Sequence, residues 1–200
     1  MDAACGAQSR ETYPYKIAVL CDLRDPNGRV LLLHRVKEPN KGLHSPIGGK
    51  LDMALGESPA QCARREIQEE AGIDVPIERL HLGGMISERG YEGQTNWLLF
   101  WYRVLGPVEV PPQTIREGVL AWHEWREVEA GMRGEPGGLL LPETDRRIIW
   151  PLVSEHEGGF FAVHIDCTDA PNDHMAASAG GLKWRVECSE KRRSWERPSP

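Results

Sequence analysis

Glu66, Glu69 and Glu70 carry the first chemical signal in this sequence. Their spacing is i, i+3, i+4, so on a helix the three carboxylates share one face. Like charges at that spacing repel by about 0.2–0.5 kcal/mol for each exposed pair. A divalent cation turns the repulsion into coordination. Oxygen donors of this kind suit a hard ion, magnesium first and manganese as the alternative. An ion held there would keep several waters, accept phosphate oxygens and acidify a water for attack on phosphorus. A free glutamate beside it would take the proton. Standing alone, an E-x-x-E-E cluster is more often a solvated helix face. Its context changes that: Gly48-Gly49 lies upstream, Gly56-Glu57 sits just ahead of the helix, Arg65 precedes Glu66, and Gly72 closes the segment.

The element that must carry these groups is a helix over residues 58–71. Ser58 is a suitable N-cap, Pro59 fits the first helical position, and Gln61 completes a capping box. Gly72 stands just past the end. Ala63, Ile67 and Ala71 form an apolar stripe that packs on a sheet, while Gln61, Arg64 and Gln68 face water. Strands are expected at residues 15–23, 29–36, 80–87, 95–104, 119–125 and 160–165. The turn Asp25-Pro26-Asn27-Gly28 predicts that the first two form a hairpin. A Gly-rich turn at 89–93 joins the third and fourth. Residues 37–50 and 132–138 read as loops, and 142–156 as a second helix with Ile148, Ile149 and Leu152 on one side. Strands on both sides of a central helix, with a second helix late, predict a mixed α/β sandwich.

The 200 residues suffice for one domain with a sizeable core. The net charge of −6 argues against a general nucleic-acid binder, which needs a basic surface. An acidic chain can still hold a small phosphorylated ligand through a divalent cation. No apolar run approaches the roughly 20 residues that span a bilayer. The polar start lacks the pattern of a secretory signal, so the expected location is cytoplasmic. The five cysteines are scattered without a Cys-x-x-Cys pair and read as reduced thiols. The expected organisation is a flexible lead over 1–12, a domain over 13–166 and a disordered tail over 167–200, with Lys191-Arg192-Arg193 a solvated run.

Glu57, seven residues, then Arg65-Glu66-Ile67-Gln68-Glu69-Glu70-Ala71-Gly72-Ile73 resembles the Nudix box of the MutT-like hydrolases, G-x5-E-x7-R-E-U-x-E-E-x-G-U with U apolar. One departure stands out. Seven residues separate Gly49 from Glu57 where the pattern has five, placing an insertion near 53–55. The resemblance implies the Nudix α/β/α sandwich and magnesium-dependent cleavage of a nucleoside diphosphate linkage. It implies Glu66, Glu69 and Glu70 as metal ligands, one of them serving as base, with the Gly49 carbonyl as a further ligand. Glu57 and Arg65 would form a salt bridge holding the loop to the helix.

Other positions resemble the oxidised purine nucleoside triphosphate branch, whose members convert 8-oxo-dGTP to the monophosphate and pyrophosphate. That likeness implies Arg35 as a phosphate ligand, Glu117 as an extra carboxylate for the metal, Ser45 as a base contact, and Asp145 or Glu143 as partner of the base edge. Each also has an ordinary explanation: a strand-end charge, a loop acid, or an acid favoured by the helix dipole. Trp97, Trp101 and Trp122 could stack on a base, with core packing expected for at least two. Dinucleoside polyphosphates (through Tyr91, in the Gly-rich turn), nucleotide sugars, and a nucleotide-sensing domain without catalysis are the alternatives. Glu88 stands where ADP-ribose hydrolases carry a proline, which lowers that option.

Overall fold

The computed structural model describes residues 12–170 and 181–191. Strands β1 (Tyr15–Asp22) and β2 (Val30–Arg35) are apolar on both faces. Such strands must be covered from both sides, and this determines where each one lies. β1 pairs in parallel with β5 (Thr95–Val104), Tyr15 opposite Asn96. β2 pairs antiparallel with β3 (His44–Ser45) and β7 (Gly118–His123). The expected hairpin is therefore corrected: the two strands belong to different sheets and meet through a bridge between Arg24 and Val30. The turn itself is present. Gly28 N–H donates to Asp25 O at 3.0 Å, and the Asp25 carboxylate accepts from Asn27 and Arg29 N–H. It redirects the chain into the second sheet because Leu31 and Leu33 pack with β1 while Val30 and Leu32 face a second core.

The five-stranded sheet runs β1-β5-β4-β8-β9, with β4 (Leu80–Tyr91), β8 (Phe160–Asp166) and β9 (Lys183–Glu190). It mixes parallel pairs (β1/β5, β4/β8) with antiparallel ones (β4/β5, β8/β9). The four-stranded sheet, β3-β2-β7-β6 with β6 (Gln113–Ile115), is antiparallel. Helix α1 (Pro59–Glu66) continues into a π-helical turn, Ile67–Ala71. Helix α2 is Trp125–Arg133, and α3 (Trp150–Glu155) is entered through a second π-helical turn, Asp145–Ile149. One core sets α1 against β1, β2 and β5, through Ala63, Ile67, Val19, Leu31 and Tyr102. The other joins Val128, Ile148 and Trp150 to Val30, Ile86, Trp101 and Phe161. The fold is the mixed α/β sandwich expected from the sequence.

The tail needs correction. Residues 183–190, expected to be disordered, form β9 on the edge of the sheet. Trp184, Val186 and Cys188 alternate with charged residues, which is strand periodicity. The rest of the expected tail at 171–180 and 192–200, with Arg192 and Arg193, lies outside the described residues, as do residues 1–11 of the expected lead. Tyr91, read from the sequence as part of the Gly-rich turn, ends β4 and is buried. Helix α2 was not anticipated, although Glu124 and Glu127 form a reciprocal cap and Gly134 ends it at φ 67°. No helix among the described residues is long and apolar enough to cross a membrane.

Candidate active site

Helix α1 is built as its sequence dictates. Gln61 N–H donates to Ser58 Oγ at 3.3 Å, Ser58 N–H donates to Gln61 Oε1 at 2.9 Å, and Gly72 closes the helix at φ 73°. Ala63, Ile67 and Ala71 are buried against the sheet. The π-helical turn widens the last part of the helix, as such turns often do at functional sites. Glu66 and Glu70 are buried, while the Glu69 side chain is 59% exposed.

Arg65 sits among the acids. Its Nε and Nη2 donate to the two Glu57 carboxylate oxygens at 2.8 and 2.9 Å. Its Nη1 donates to Glu66 Oε1 at 2.6 Å and reaches Glu69 Oε2 at 3.4 Å, and Nη2 also donates to Lys50 O at 3.1 Å. The guanidinium holds the Glu57 carboxyl down to about 2. Burial pushes Glu66 up against the pull of Arg65. Burial also pushes Glu70 up to about 7; the Gly48 N–H, donating to Glu70 Oε2 at 3.0 Å, acts in the opposite direction. The charges of Glu66 and Glu117 add to the rise.

The Gly48-Gly49 segment lies along β1, with Val19 N–H donating to Gly49 O at 2.9 Å and Cys21 N–H to Ile47 O at 2.8 Å. A Cβ on Gly49 would overlap the Glu66 carboxylate, and one on Gly48, at φ 153°, would overlap Val19 O. The longer loop is absorbed outward. Asp52 Oδ1 accepts from Ala54 and Leu55 N–H, both at 3.1 Å, and Gly56 turns at φ 66°. Met53 and Leu55 project into solvent, and Glu57 still meets Arg65.

Glu66, Glu69, Glu70, Glu117 and Gly49 line one cavity of about 580 Å³. They offer only hard oxygen donors, the chemistry a small divalent cation takes, and Gly49 leaves the space beside Glu66 that a side chain would fill. As they stand, no three His, Cys, Asp or Glu side chains among the described residues are close enough to hold an ion. Arg65 contacts both Glu66 and Glu69. Arg65 engages one oxygen of each, Glu66 Oε1 and Glu69 Oε2, and is itself anchored by Glu57 and Lys50 O.

The cavity also brings together Arg35, Ser45 and Asp145. Arg35 Nε donates to Pro39 O at 2.7 Å. Glu143 instead pairs with Arg146 at 2.8 Å. Trp97 lines the cavity. Trp101 packs edge-on against Trp150 with centroids 4.9 Å apart, and Trp122 Nε1 donates to Val110 O at 2.7 Å, so both serve the cores. Tyr91 lines the cavity with its hydroxyl donating to Asn40 Oδ1 at 2.6 Å.

Glu88 is the residue that sequence reasoning missed. It lies on β4 between Trp97 of β5 and Ile165 of β8, and is 4% exposed. Its Oε1, Ser45 Oγ and Thr144 Oγ1 are buried without a hydrogen-bond partner, and all three residues line the cavity. An unpaired buried polar group costs about 1–3 kcal/mol. Burial and the nearby Asp145 push Glu88 up to about 8, and burial pushes Asp145 up to about 7. The available signal was an acid two residues beyond Ile86, on the inward side of an apolar strand.

A model of the NUDIX domain matches residues 14–140. Among solved structures, a MutT protein from Bacillus halodurans aligns with a TM-score of 0.61 at 22% identity, covering 86% of this chain and 97% of that one. A bifunctional NMN adenylyltransferase/ADP ribose pyrophosphatase from Francisella tularensis, complexed with AMP and a manganese ion, aligns with a TM-score of 0.52 at 19% identity, covering 72% of this chain and 42% of that one. At these identities the likeness is one of fold. The curated octanoyltransferase of Myxococcus xanthus is 46% identical over 54 residues, which is 27% of this chain and 14% of that protein's length.

Proposed function

The chain belongs to the Nudix family, and on that premise we propose that it is a magnesium-dependent pyrophosphohydrolase of nucleotides. The observation that carries this reading is the placement of Glu66, Glu69, Glu70 and Gly49 along one cavity of nucleotide size. The first substrate to try is an oxidised purine nucleoside triphosphate such as 8-oxo-dGTP, cut to monophosphate and pyrophosphate. Glu66, Glu69, Glu70, Glu117 and the Gly49 carbonyl would hold Mg²⁺, with Mn²⁺ as a substitute; the structural neighbour from F. tularensis is complexed with AMP and manganese. When bound, the ion supplies positive charge to the phosphate oxygens and makes water more acidic.

The chain's own groups do the rest. Arg35 receives phosphate charge at the cavity wall. Glu57 holds Arg65, and with it the loop, against α1. One glutamate of the three takes the proton of the attacking water. The water oxygen forms a new bond to phosphorus, the bridging P–O bond breaks, and the leaving phosphate keeps the electron pair. Ser45 and Asp145 face the base.

The test is a phosphate-release screen with magnesium over oxidised and ordinary nucleoside triphosphates, dinucleoside polyphosphates and nucleotide sugars. Turnover of at least one class is expected, and silence across all of them would reject the proposal. Glu70→Gln keeps the shape and the contact to Gly48 N–H. It is expected to remove nearly all turnover while the melting temperature stays within a few degrees. Wild-type turnover in that variant would remove Glu70 from the ligand set.

A further inference from the structure

Glu66, Glu69 and Glu70 keep their spacing because one helical segment carries them, but Glu117 comes from a different element. With Arg116 it forms the two-residue turn between β6 and β7, where Ile115 pairs with Gly118, and both turn residues line the cavity. This hairpin belongs to the four-stranded sheet, so its place relative to Glu70 depends on tertiary ties. Two hydrogen bonds supply them. Val36 N–H donates to Glu117 O at 2.9 Å and fastens the turn to the end of β2. Gln113 Nε2, at the start of β6, donates to Glu70 O at 3.0 Å. Among the described residues, no other hydrogen bond joins residues 113–118 to the helical segment 59–72.

The position of that bond matters. A helix leaves its last carbonyls without internal partners, and the Gln113 amide takes the one belonging to Glu70. Glu70 is thus held twice, its carboxylate by Gly48 N–H and its main chain by Gln113. Ile115 packs on the core that contains Ile67 and Ala71, an apolar contact that does not need the amide. Gln113 itself does not line the cavity. We propose that Gln113 is a positioning residue for the divalent ion: its amide sets the span between Glu70 and Glu117, so that carboxylates of both elements meet one ion. This rests on the metal-dependent reading above and deepens it. Groups that orient metal ligands from behind commonly govern affinity as strongly as some ligands do.

The experiment is Mn²⁺ binding to the full chain without nucleotide, read by the electron paramagnetic resonance of the free ion. Gln113→Met keeps length and removes the donor; it is expected to weaken Mn²⁺ by about 10-fold, with a melting temperature near that of the wild type. Glu117→Gln is expected to weaken it at least as much. Because Gln113 acts through Glu117, adding Gln113→Met to Glu117→Gln should change affinity by less than about twofold. In turnover, the magnesium concentration for half-maximal rate should rise with the Mn²⁺ dissociation constant, while kcat at saturating magnesium stays near wild type. If Gln113→Met does not fold, Gln113→Asn, one methylene too short to reach Glu70 O, takes its place. Wild-type Mn²⁺ affinity in the Gln113 variant, or full additivity in the double variant, would overturn this proposal alone. The expected losses of Mn²⁺ with silence across the substrate screen would sink the hydrolytic reading alone. A wild-type chain that binds no Mn²⁺ at millimolar concentration would sink both.

Discussion

Glu57 accepts two hydrogen bonds from Arg65 and one from Asp52 N–H at 2.8 Å, so its carboxylate is held from three directions. Its carboxyl is held at about 2, below its ordinary value of 4.5. The native state thus favours the ionised form. The stability this contributes is fully present above pH 4.5 and is lost as pH falls toward 2. Glu57→Gln is expected to cost about 1–3 kcal/mol at pH 7 by urea denaturation. The gap should close in strong acid, and a constant gap down to pH 2 would show that charge is not the cause. Turnover should fall as well, since a released Arg65 can stay on Glu66 and Glu69. These residues were legible in the sequence because a helix fixes its own neighbours: Glu66, Glu69, Glu70, Arg65 and Glu57 all lie on or next to α1. Glu88 was not, because only its pairing with Trp97 and Ile165 turns an ordinary strand acid into a cavity wall.

The short β3 strand depends on a neutral His44. His34 and His44 are register partners with rings stacked at 4.7 Å, and His123 lies 5.1 Å from His44. His44 N–H donates to Leu140 O at 2.7 Å, which ties β3 to the segment leading into α3. Burial, reinforced by His123 and His34, lowers His44 from 6.5 to about 4. The folded state prefers the neutral ring, so stability is complete above pH 6.5 and declines as pH falls toward 4. Chemical denaturation at pH 7.5 and 4.5 should show a loss of roughly 1–3 kcal/mol that His44→Gln reduces. An identical loss in that variant would assign it to other groups. Helix α1 was readable from its cap, its stripe and Gly72. The hairpin expectation failed because a turn sequence states that the chain reverses, without saying which sheet receives it. The π-helical turns were also beyond reach, since their width answers to packing from distant strands.

Across the whole molecule, β9 covers the free edge of β8, and Leu182 just ahead of it is buried in the core that contains Trp150. Lys191 Nζ pairs with Glu155 at 2.9 Å, and the His156 ring contacts Ser189 Oγ at 2.6 Å. Ending the chain after Ala170 is expected to lower the melting temperature by roughly 5–10 °C. It should also promote association, because β8 becomes an exposed apolar edge. Light scattering and thermal melts equal to those of the full chain would refute this. The domain boundary expected at 166 missed β9 because its alternation sits among polar residues and neither of its faces is covered. A last consequence lies in β1. The strand is parallel to β5, and Tyr15 finds Asn96 only after α1 and β4 have been made. On a ribosome, β1 therefore leaves the exit tunnel long before β5, and while the 47–51 segment can pair along one of its edges the other waits open. Loop closure across that stretch then sets the tempo of maturation, and during that interval a nascent chain has most to gain from a chaperone.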